Sequence, residues 1–334
     1  MTGELLSHIS TADTARDLDA LRELVGDRKL TYVGLSYGTF LGQTYANLFP
    51  RRVRALLLDA IVDQVEWVKS AEARTASVVR STNPVLEQFA ALCQRAGPGR
   101  CALAGHAEPV AQRIKRLFAR ARRAPIPAPH ADPPGELTYS ELLLTTFTPL
   151  RTPEAWPRYA RDLNAAATGD ASALETAARG FLTPETFSKA TTSAAIQCLD
   201  GPARQPVSAW PKVIGHLTDL GELWTPFLGW TQWAPCASNW PADSSDRYAG
   251  PWHAKTATPI LLINNRYDPA DSYRNALRAE RRLGNAVLLT QDGYGHPTFA
   301  DPSNCVDKAR VRYLVDLITP PRGTVCRPNK APFS

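Results

Sequence analysis

Apolar residues near the start of the chain recur at steps of three and four, which is the spacing of one face of a helix. The pattern runs over residues 11–25 and is followed by Gly26. Thr11 is the expected N-cap, and Asp13 lies in the first turn, where the helix dipole favours an anion. These positions predict an amphipathic helix ahead of the first strand.

Two runs that read as strands come next, at residues 29–35 and 54–61, and the second contains the continuously apolar residues 55–58. The helix-compatible segment Tyr37–Leu48 lies between them. Pro50 is expected to end that helix. Buried strands that alternate with helices are typical of a parallel sheet covered on both faces. We therefore predict an α/β fold.

The alternation of strands and helices stops between residues 64 and 256, where helical patterns dominate. Residues 124–135 are rich in proline and predict a stiff, extended connector, and Thr138 and Glu141 have the spacing of a capping box. The predicted helices of this segment cover residues 65–96, 109–123, 140–147, 153–167 and 171–179. Tryptophans are concentrated in residues 205–252, where they either line a substrate cleft or pack an irregular region onto the core: Trp210, Trp224, Trp230, Trp233, Trp240 and Trp252.

The sheet pattern returns after residue 256. Residues 259–264 and 286–290 predict strands, the second being the last, and residues 272–283 and 305–318 predict helices. The chain is therefore expected to divide into three segments: residues 1–63 as the first part of the sheet domain, 64–256 as a mainly helical lid or cap insertion, and 257–334 as the second part of the sheet domain.

The junction between the first strand and its helix reads Gly34-Leu35-Ser36-Tyr37-Gly38, a G-x-S-x-G motif. In a strand–turn–helix context this motif is a nucleophile elbow, whose strained turn exposes the serine hydroxyl. Glycine is needed on either side because the neighbouring backbone passes too close for a Cβ. A purely structural glycine–serine turn is the alternative, and the context favours Ser36 as a nucleophile.

A serine nucleophile needs a base, and the base needs an orienting acid. Of the six histidines, only His296 directly follows a predicted strand, in a glycine-rich loop. Asp268 follows the carboxyl end of the preceding strand, and the order serine, aspartate, histidine is that of α/β-hydrolases. The other candidates for the acid are Asp59, Asp63, Asp271 and Asp292, of which Asp271 is expected to start the next helix. The predicted chemistry is acyl transfer, in which Ser36 attacks a carbonyl, His296 moves the proton and Asp268 fixes the imidazole tautomer.

The composition narrows the possible partners of the chain. A net charge of +6 with scattered arginines predicts no nucleic-acid partner, and the basic residues 113–123 are expected to form a solvated helix face. No apolar run reaches the ~18 residues of a membrane span. No cysteine or histidine spacing predicts a metal site, and no cofactor is expected. The predicted partner is a peptide or small ester substrate, and the oligomeric state stays open.

The cysteines and the first ten residues predict different cellular compartments. An even number of cysteines favours disulfides and an oxidising compartment, with buried free thiols in a cytosolic enzyme as the alternative. Proximity along the chain suggests the pairs Cys93–Cys101, Cys198–Cys236 and Cys305–Cys326. Residues 1–10 show neither the basic nor the apolar region of a signal peptide, so we expect either a protein that stays inside the cell or a sequence without its natural beginning.

Several stretches of the chain are shared with one known family: residues 13–21, 32–38, 49–59, 195–200, 233–240, 259–272 and 293–296. On these residues the chain resembles the secreted tripeptidyl-aminopeptidase-like α/β-hydrolases with a TAP-like carboxyl-terminal region. The resemblance implies a helical lid between the sixth and seventh strands of the fold, disulfides, export, and cleavage of short peptides from a free amino terminus. It carries the triad over as Ser36, Asp268 and His296.

One departure from that family concerns the residues ahead of the nucleophile. The family places its nucleophile after the fifth strand, whereas residues 1–35 have room for one helix and one strand. We therefore expect this sequence to lack the first four strands and the glycine-rich oxyanion loop. The backbone N–H of Tyr37 then stays as one oxyanion donor, and the strand at residues 30–35 becomes an open apolar edge. The expected function is a serine hydrolase acting as an exopeptidase. The alternatives are an esterase or proline iminopeptidase with the same triad, or a catalytically impaired remnant or binding protein.

Overall fold

The computed structural model describes residues 3–201, 206–230, 236 and 246–334. They belong to two compact units, Met1–Ser81 with Thr191–Asn329, and Thr82–Ala190 with Lys330–Ser334. The strands are β1 (Leu30–Leu35), β2 (Val53–Asp59), β3 (Ile126–Ala128), β4 (Gly135–Leu137), β5 (Ile260–Tyr267), β6 (Ala286–Tyr294) and β7 (Val325–Cys326). The helices are α1 (Gly3–Leu6), α2 (Thr11–Leu24), α3 (Tyr37–Leu48), α4 (Gln64–Lys69), α5 (Ala71–Ala96), α6 (Val110–Arg123), α7 (Tyr139–Leu150), α8 (Trp156–Thr168), α9 (Ser172–Phe181), α10 (Pro184–Asp200), α11 (Trp210–Leu217), α12 (Trp224–Leu228), α13 (Tyr273–Arg282) and α14 (Asn304–Asp316).

The first unit is built on a five-stranded sheet in the order β1-β2-β5-β6-β7, and each neighbouring pair is parallel. The register sets Leu35 opposite Asp59, and Asp59 opposite Ile263. Because parallel strands end at the same edge of a sheet, the loops after β1, β2, β5 and β6 meet there. The predicted α/β fold with a parallel sheet is confirmed.

Helices cover both faces of β2, which explains why its residues 55–58 are all apolar. Leu56 and Leu58 pack among residues of α2, α3 and α13, whereas Ala55 and Leu57 pack against α14. All four side chains are fully buried or nearly so. A strand with one face in water would alternate apolar and polar residues instead.

Strand β1 lies at the edge of the sheet and pairs, among the described residues, with β2 alone. Its outward side chains include Val33 and Leu35, which are 44% and 41% exposed. The expectation that β1 is an open edge stays a prediction.

The first long helix begins one residue earlier than the sequence pattern indicates. Ser10 and not Thr11 is the N-cap of α2, and Ser10 forms a capping box with Asp13. Thr11 instead donates its backbone N–H and its hydroxyl to the carboxylate of Asp200, at 2.8 and 2.7 Å. Asp200 is 189 residues away in the chain, so a local pattern could not reveal this contact.

The prediction that residues 286–290 form the last strand is wrong. Strand β6 continues to Tyr294, and β7 from the carboxyl-terminal tail pairs with it, with Thr290 opposite Val325. The disulfide between Cys305 of α14 and Cys326 of β7 holds the tail beside the sheet. A two-residue strand carries too little pattern to be found from sequence.

The second unit consists of helices and one short hairpin. Residues 124–135, predicted as an extended connector, instead contribute β3 to an antiparallel pair with β4. The capping box of Thr138 and Glu141 at the start of α7 is confirmed. Helix α6 buries Ile114 and Leu117 and exposes Lys115 and Arg116, as its periodicity predicts. The expectation of a solvated basic face is wrong for Arg113, which is buried and donates a hydrogen bond to Asn164 at 2.8 Å.

The limits of the compact units differ from the predicted segments. Residues 64–81 group with the sheet unit, and so does Thr191–Asn329. The predicted helix over 65–96 is divided at Ser70 into α4 and α5. The interpretation of residues 64–256 as one lid insertion stays a prediction. Trp233 and Trp240 lie outside the described residues; Trp210, Trp224 and Trp252 are buried, and Trp230 is exposed.

Candidate active site

Ser36 lies at a sharp turn between β1 and α3. Its backbone adopts φ 54° and ψ −121°, a conformation that is uncommon for a residue with a Cβ. The backbone N–H of Ser36 donates to the carbonyl oxygen of Asp59 at 3.0 Å, which fixes the turn to the end of β2. Strain of this kind, about 1–3 kcal/mol, persists when surrounding contacts determine the backbone.

The first glycine of the motif is required by a close backbone approach. A Cβ on Gly34 would lie 2.4 Å from the carbonyl oxygen of Gly38, well inside contact distance. At Gly38 a Cβ would lie 3.1 Å from the hydroxyl oxygen of Tyr32, a tight but less severe contact. That hydroxyl donates to the Gly38 carbonyl at 2.9 Å and braces the first turn of α3.

His296 and Asp268 form a buried pair at the same edge of the sheet. The Nδ1 atom of His296 lies 3.0 and 2.9 Å from the two carboxylate oxygens of Asp268. Asp268 also accepts the backbone N–H groups of Ala270 and Asp271, each at 2.8 Å. With a carboxylate facing Nδ1, that nitrogen carries the proton and Nε2 is left as the basic atom of a neutral imidazole.

The other five histidines are all exposed, in contrast to His296: His8, His106, His130, His216 and His253. The nearest comparable pair is His130 with Asp170 in the second unit, at 2.8 Å, and both of its side chains are largely solvated. His296 is therefore the one histidine that combines burial with a carboxylate partner.

Asp271 does not start a helix as the sequence pattern indicates. Helix α13 begins at Tyr273, with Ser272 as its N-cap. The carboxylate of Asp271 instead accepts a hydrogen bond from the hydroxyl of Ser36 at 3.5 Å, and the same oxygen lies 3.8 Å from Nδ1 of His296. One carboxylate oxygen thus lies close to both the expected nucleophile and the expected base.

Two other candidates for the acid, Asp59 and Asp292, form ion pairs with arginines. Asp59 accepts hydrogen bonds from Thr298 and pairs with Arg310. Burial raises the pKa of the Asp59 carboxyl, although Arg310 and the hydrogen bonds from Thr298 act in the opposite direction. Asp292 pairs with Arg266 at the surface.

Asp63 caps the start of α4 by accepting the backbone N–H groups of Val65 and Glu66. It also pairs with Arg278 and Arg282 of α13. Burial alone would raise the pKa of Asp63, but the hydrogen bond from the Glu66 backbone and the arginines outweigh it and hold the pKa below its usual range. The Asp63 carboxylate therefore joins α4 to α13 and has a structural role.

Two buried asparagines that the sequence analysis overlooked position the site loops. The side-chain amide of Asn265 donates to the carbonyl oxygens of Tyr294 and Gly295, at 2.8 and 3.0 Å, just ahead of His296. The side chain of Asn264 accepts the backbone N–H of Ile61 at 2.7 Å and donates to the carbonyl of Asp271 at 3.2 Å. The sequence signal that could have indicated this role is the pair of consecutive amide side chains, Asn264 and Asn265, directly after the apolar residues of β5.

Tyr37 opens helix α3, directly after Ser36. Backbone N–H groups in the first turn of a helix have no acceptor within the helix, so they are suited to bind negative charge. The hydroxyl of Tyr37 lies 2.7 Å from the hydroxyl of Thr11, which bonds to Asp200. Burial, with Asp200 nearby, raises the pKa of Tyr37, so its side chain stays neutral.

Three disulfides join the pairs that chain order suggests, Cys93–Cys101, Cys198–Cys236 and Cys305–Cys326. Such bonds are typical of proteins in oxidising compartments. Within the described ranges, no three His, Cys, Asp or Glu side chains are grouped as a metal site. Nor does any helix of those ranges have the length and apolar character needed to cross a membrane.

Two parts of the chain match known protein families. Residues 3–91 match the alpha/beta hydrolase fold family, and residues 222–326 match the family described as TAP-like protein. The chain therefore has the α/β-hydrolase fold, and its carboxyl-terminal part matches the TAP-like family.

Curated relatives match almost the whole chain. It is 30% identical over 352 residues to serine protease Hip1 of Mycobacterium tuberculosis H37Rv, covering 98% of this chain and 63% of that protein. It is 28% identical over 348 residues to the tripeptidyl aminopeptidase of Streptomyces lividans, covering 99% and 60%. Carboxylesterase B of M. tuberculosis CDC 1551 is 29% identical over 339 residues, with 97% and 61% covered. The chain thus spans about three-fifths of the length of these relatives.

Proposed function

We propose that this chain is a serine hydrolase that forms an acyl-enzyme on Ser36 and acts as an exopeptidase on substrates with a free amino terminus. One observation carries the proposal: Ser36 occupies a strained elbow turn, and a buried His296–Asp268 pair lies at the same edge of the sheet. The related serine protease and tripeptidyl aminopeptidase support a peptide substrate.

The proposed reaction follows from the position of the imidazole proton. With Nδ1–H of His296 donated to Asp268, Nε2 accepts the proton of the Ser36 hydroxyl as Oγ attacks the substrate carbonyl carbon. The imidazolium that results is stabilised by the Asp268 carboxylate and then protonates the leaving amine. Water, activated by the same nitrogen, hydrolyses the ester on Ser36 and regenerates the hydroxyl.

The negative charge that develops on the substrate carbonyl oxygen during acylation and during deacylation needs hydrogen-bond donors. The backbone N–H of Tyr37 is our candidate, because it follows the nucleophile and opens a helix. The proposed compartment is extracellular, which the three disulfides support.

An esterase is the second candidate function. The same serine, base and acid hydrolyse esters through the same acyl-enzyme, and the relative named carboxylesterase B supports this possibility. The two candidates differ in the leaving group and in the need for a substrate amino group.

A panel of chromogenic substrates tests the proposal. We expect turnover of aminoacyl or short peptidyl p-nitroanilides, and a loss of about 10⁴–10⁶-fold in kcat in Ser36→Ala. Ser303→Ala is the matched control, because Ser303 caps α14 and should affect stability more than turnover. Turnover of p-nitrophenyl esters alone would favour the esterase. No turnover of any substrate by the folded protein would favour a binding protein or an impaired remnant.

A further inference from the structure

The carboxylate of Asp271 is held beside the nucleophile by its own backbone contacts. Its N–H donates to Asp268 at 2.8 Å, and its carbonyl oxygen accepts from Asn264 at 3.2 Å. The side chain is only 11% exposed, and its Oδ2 atom lies 3.5 Å from Oγ of Ser36. The loop after β5 therefore fixes the position of this carboxylate, which is not a mobile surface side chain.

Asp271 is not the partner that orients the base. Nδ1 of His296 lies 2.9 Å from Asp268 but 3.8 Å from Asp271. An anion next to the nucleophile also opposes the negative charge that develops on the substrate carbonyl oxygen. A cation from the substrate, placed between the carboxylate and the reacting carbonyl, would reverse that penalty.

The α-ammonium of an amino-terminal residue is such a cation. Covalent geometry places the α-nitrogen of a residue about 2.5 Å from its own carbonyl carbon. That carbon must approach Oγ of Ser36 to about 3–3.5 Å before attack. These distances allow the α-nitrogen of the residue being cleaved to come within hydrogen-bond reach of a carboxylate oxygen located 3.5 Å from the same Oγ.

We propose that Asp271 binds the α-ammonium of the residue whose carbonyl is attacked, so that the site releases single amino acids. The inference rests on the proposed serine hydrolase and specifies its substrate class. In a tripeptidyl substrate the free ammonium lies two residues further from the scissile bond, about 7 Å away along an extended chain, beyond the reach of Asp271. An N-acetylated residue offers no cation at all.

Substrates that differ only in their amino terminus distinguish a role of Asp271 in ammonium binding from a role in proton transfer. The wild-type protein, Asp271→Asn and Asp268→Asn are assayed with alanine p-nitroanilide, N-acetylalanine p-nitroanilide and trialanine p-nitroanilide. We expect Asp271→Asn to lower kcat/KM about 10- to 100-fold for alanine p-nitroanilide, the loss of one charged hydrogen bond. Activity on N-acetylalanine p-nitroanilide should stay constant or rise. With trialanine p-nitroanilide, mass spectrometry of the products should show slower release of alanine, whereas direct release of intact trialanine should not fall. Asp268→Asn should lower all three together.

The pH dependence gives a second measurement. The α-amino group of a free amino terminus has a pKa of about 8, so kcat/KM for alanine p-nitroanilide should fall above that pH in the wild type. N-acetylalanine p-nitroanilide should not show this fall, and Asp271→Asn should remove the difference between the two substrates. Equal losses on alanine p-nitroanilide and N-acetylalanine p-nitroanilide in Asp271→Asn, or a wild type that releases intact trialanine in preference to alanine from trialanine p-nitroanilide, would overturn the proposal.

A failure of the proposed function would look different. If a fluorophosphonate does not label Ser36 and none of the substrates is turned over, the serine hydrolase proposal fails. Calorimetric binding of alaninamide then tests Asp271 by itself. Binding to the wild type that is lost in Asp271→Asn would support the ammonium site, and no binding to the wild type would overturn it.

Discussion

Asp59 and Thr298 join the end of β2 to the loop that carries His296. The Asp59 carboxylate accepts the backbone N–H of Thr298 at 3.1 Å and its hydroxyl at 2.6 Å. Arg310 of α14 donates to the same carboxylate at 2.7 Å. A carboxylate that was a candidate acid from sequence is therefore an anchor for the candidate base.

Asp59→Asn should weaken both stability and turnover. The change removes one carboxylate partner of the buried Arg310 guanidinium, which still pairs with Asp307, so we expect a loss of about 1–3 kcal/mol of unfolding free energy. Denaturant unfolding measures the loss, and steady-state kinetics should show a lower kcat with little change in KM. Asp292→Asn, which breaks an exposed pair with Arg266, should cost less than about 1 kcal/mol. Similar small losses in both variants would show that the Asp59 contacts do not fix the loop.

The turn at Ser36 should be relaxed by glycine. Its φ of 54° and ψ of −121° form the mirror image of an extended conformation, which glycine adopts freely. We expect Ser36→Gly to be more stable than Ser36→Ala by about 1 kcal/mol in denaturant unfolding, since both lack the hydroxyl and only alanine keeps the strain. Equal stability of the two variants would argue against a strained elbow.

Asp301 should make stability fall as the pH rises. Burial raises its pKa to about 6, although hydrogen bonds from Tyr294 and Gln291 act in the opposite direction. Because the unfolded value is about 3.9, the folded state holds the proton more tightly. The contribution of Asp301 is therefore greatest below pH 4 and is lost as the pH rises through about 6.

Asp301→Asn should remove this contribution. Unfolding free energies measured between pH 4 and 7 should fall with pH by about 1–2 kcal/mol more in the wild type than in the variant, after allowance for solvent screening. A pH dependence that is the same in both proteins would assign it to other groups.

Local patterns in the sequence were sufficient for the sheet and for the elbow. The apolar runs predicted β2 and β5 because both faces of those strands are covered, and the glycines around Ser36 mark a close backbone approach. The positions of His296 and Asp268 followed from strand order, because parallel strands end at one edge. These predictions depend on residues that are close in sequence or on a general rule of topology.

Contacts between distant residues could not be predicted in this way. Asp271 reaches Ser36 across 235 positions, and its sequence context suggests only a helix start. Threonine is a common N-cap residue, but Thr11 bonds to the buried carboxylate of Asp200, 189 residues away, and Ser10 is the N-cap instead. Strand β7 has only two residues that pair with β6, and a disulfide joins it to α14.

The most direct measurement of the central proposal is the rate and the position of labelling by a fluorophosphonate, read by mass spectrometry of the digested protein. We predict a single adduct on Ser36 that is absent in Ser36→Ala and that forms about 10⁴-fold more slowly in Asp268→Asn, where the imidazole loses its orienting acid. An adduct on another residue, or a labelling rate that does not change in Asp268→Asn, would contradict the assignment of Ser36, His296 and Asp268 as one catalytic unit.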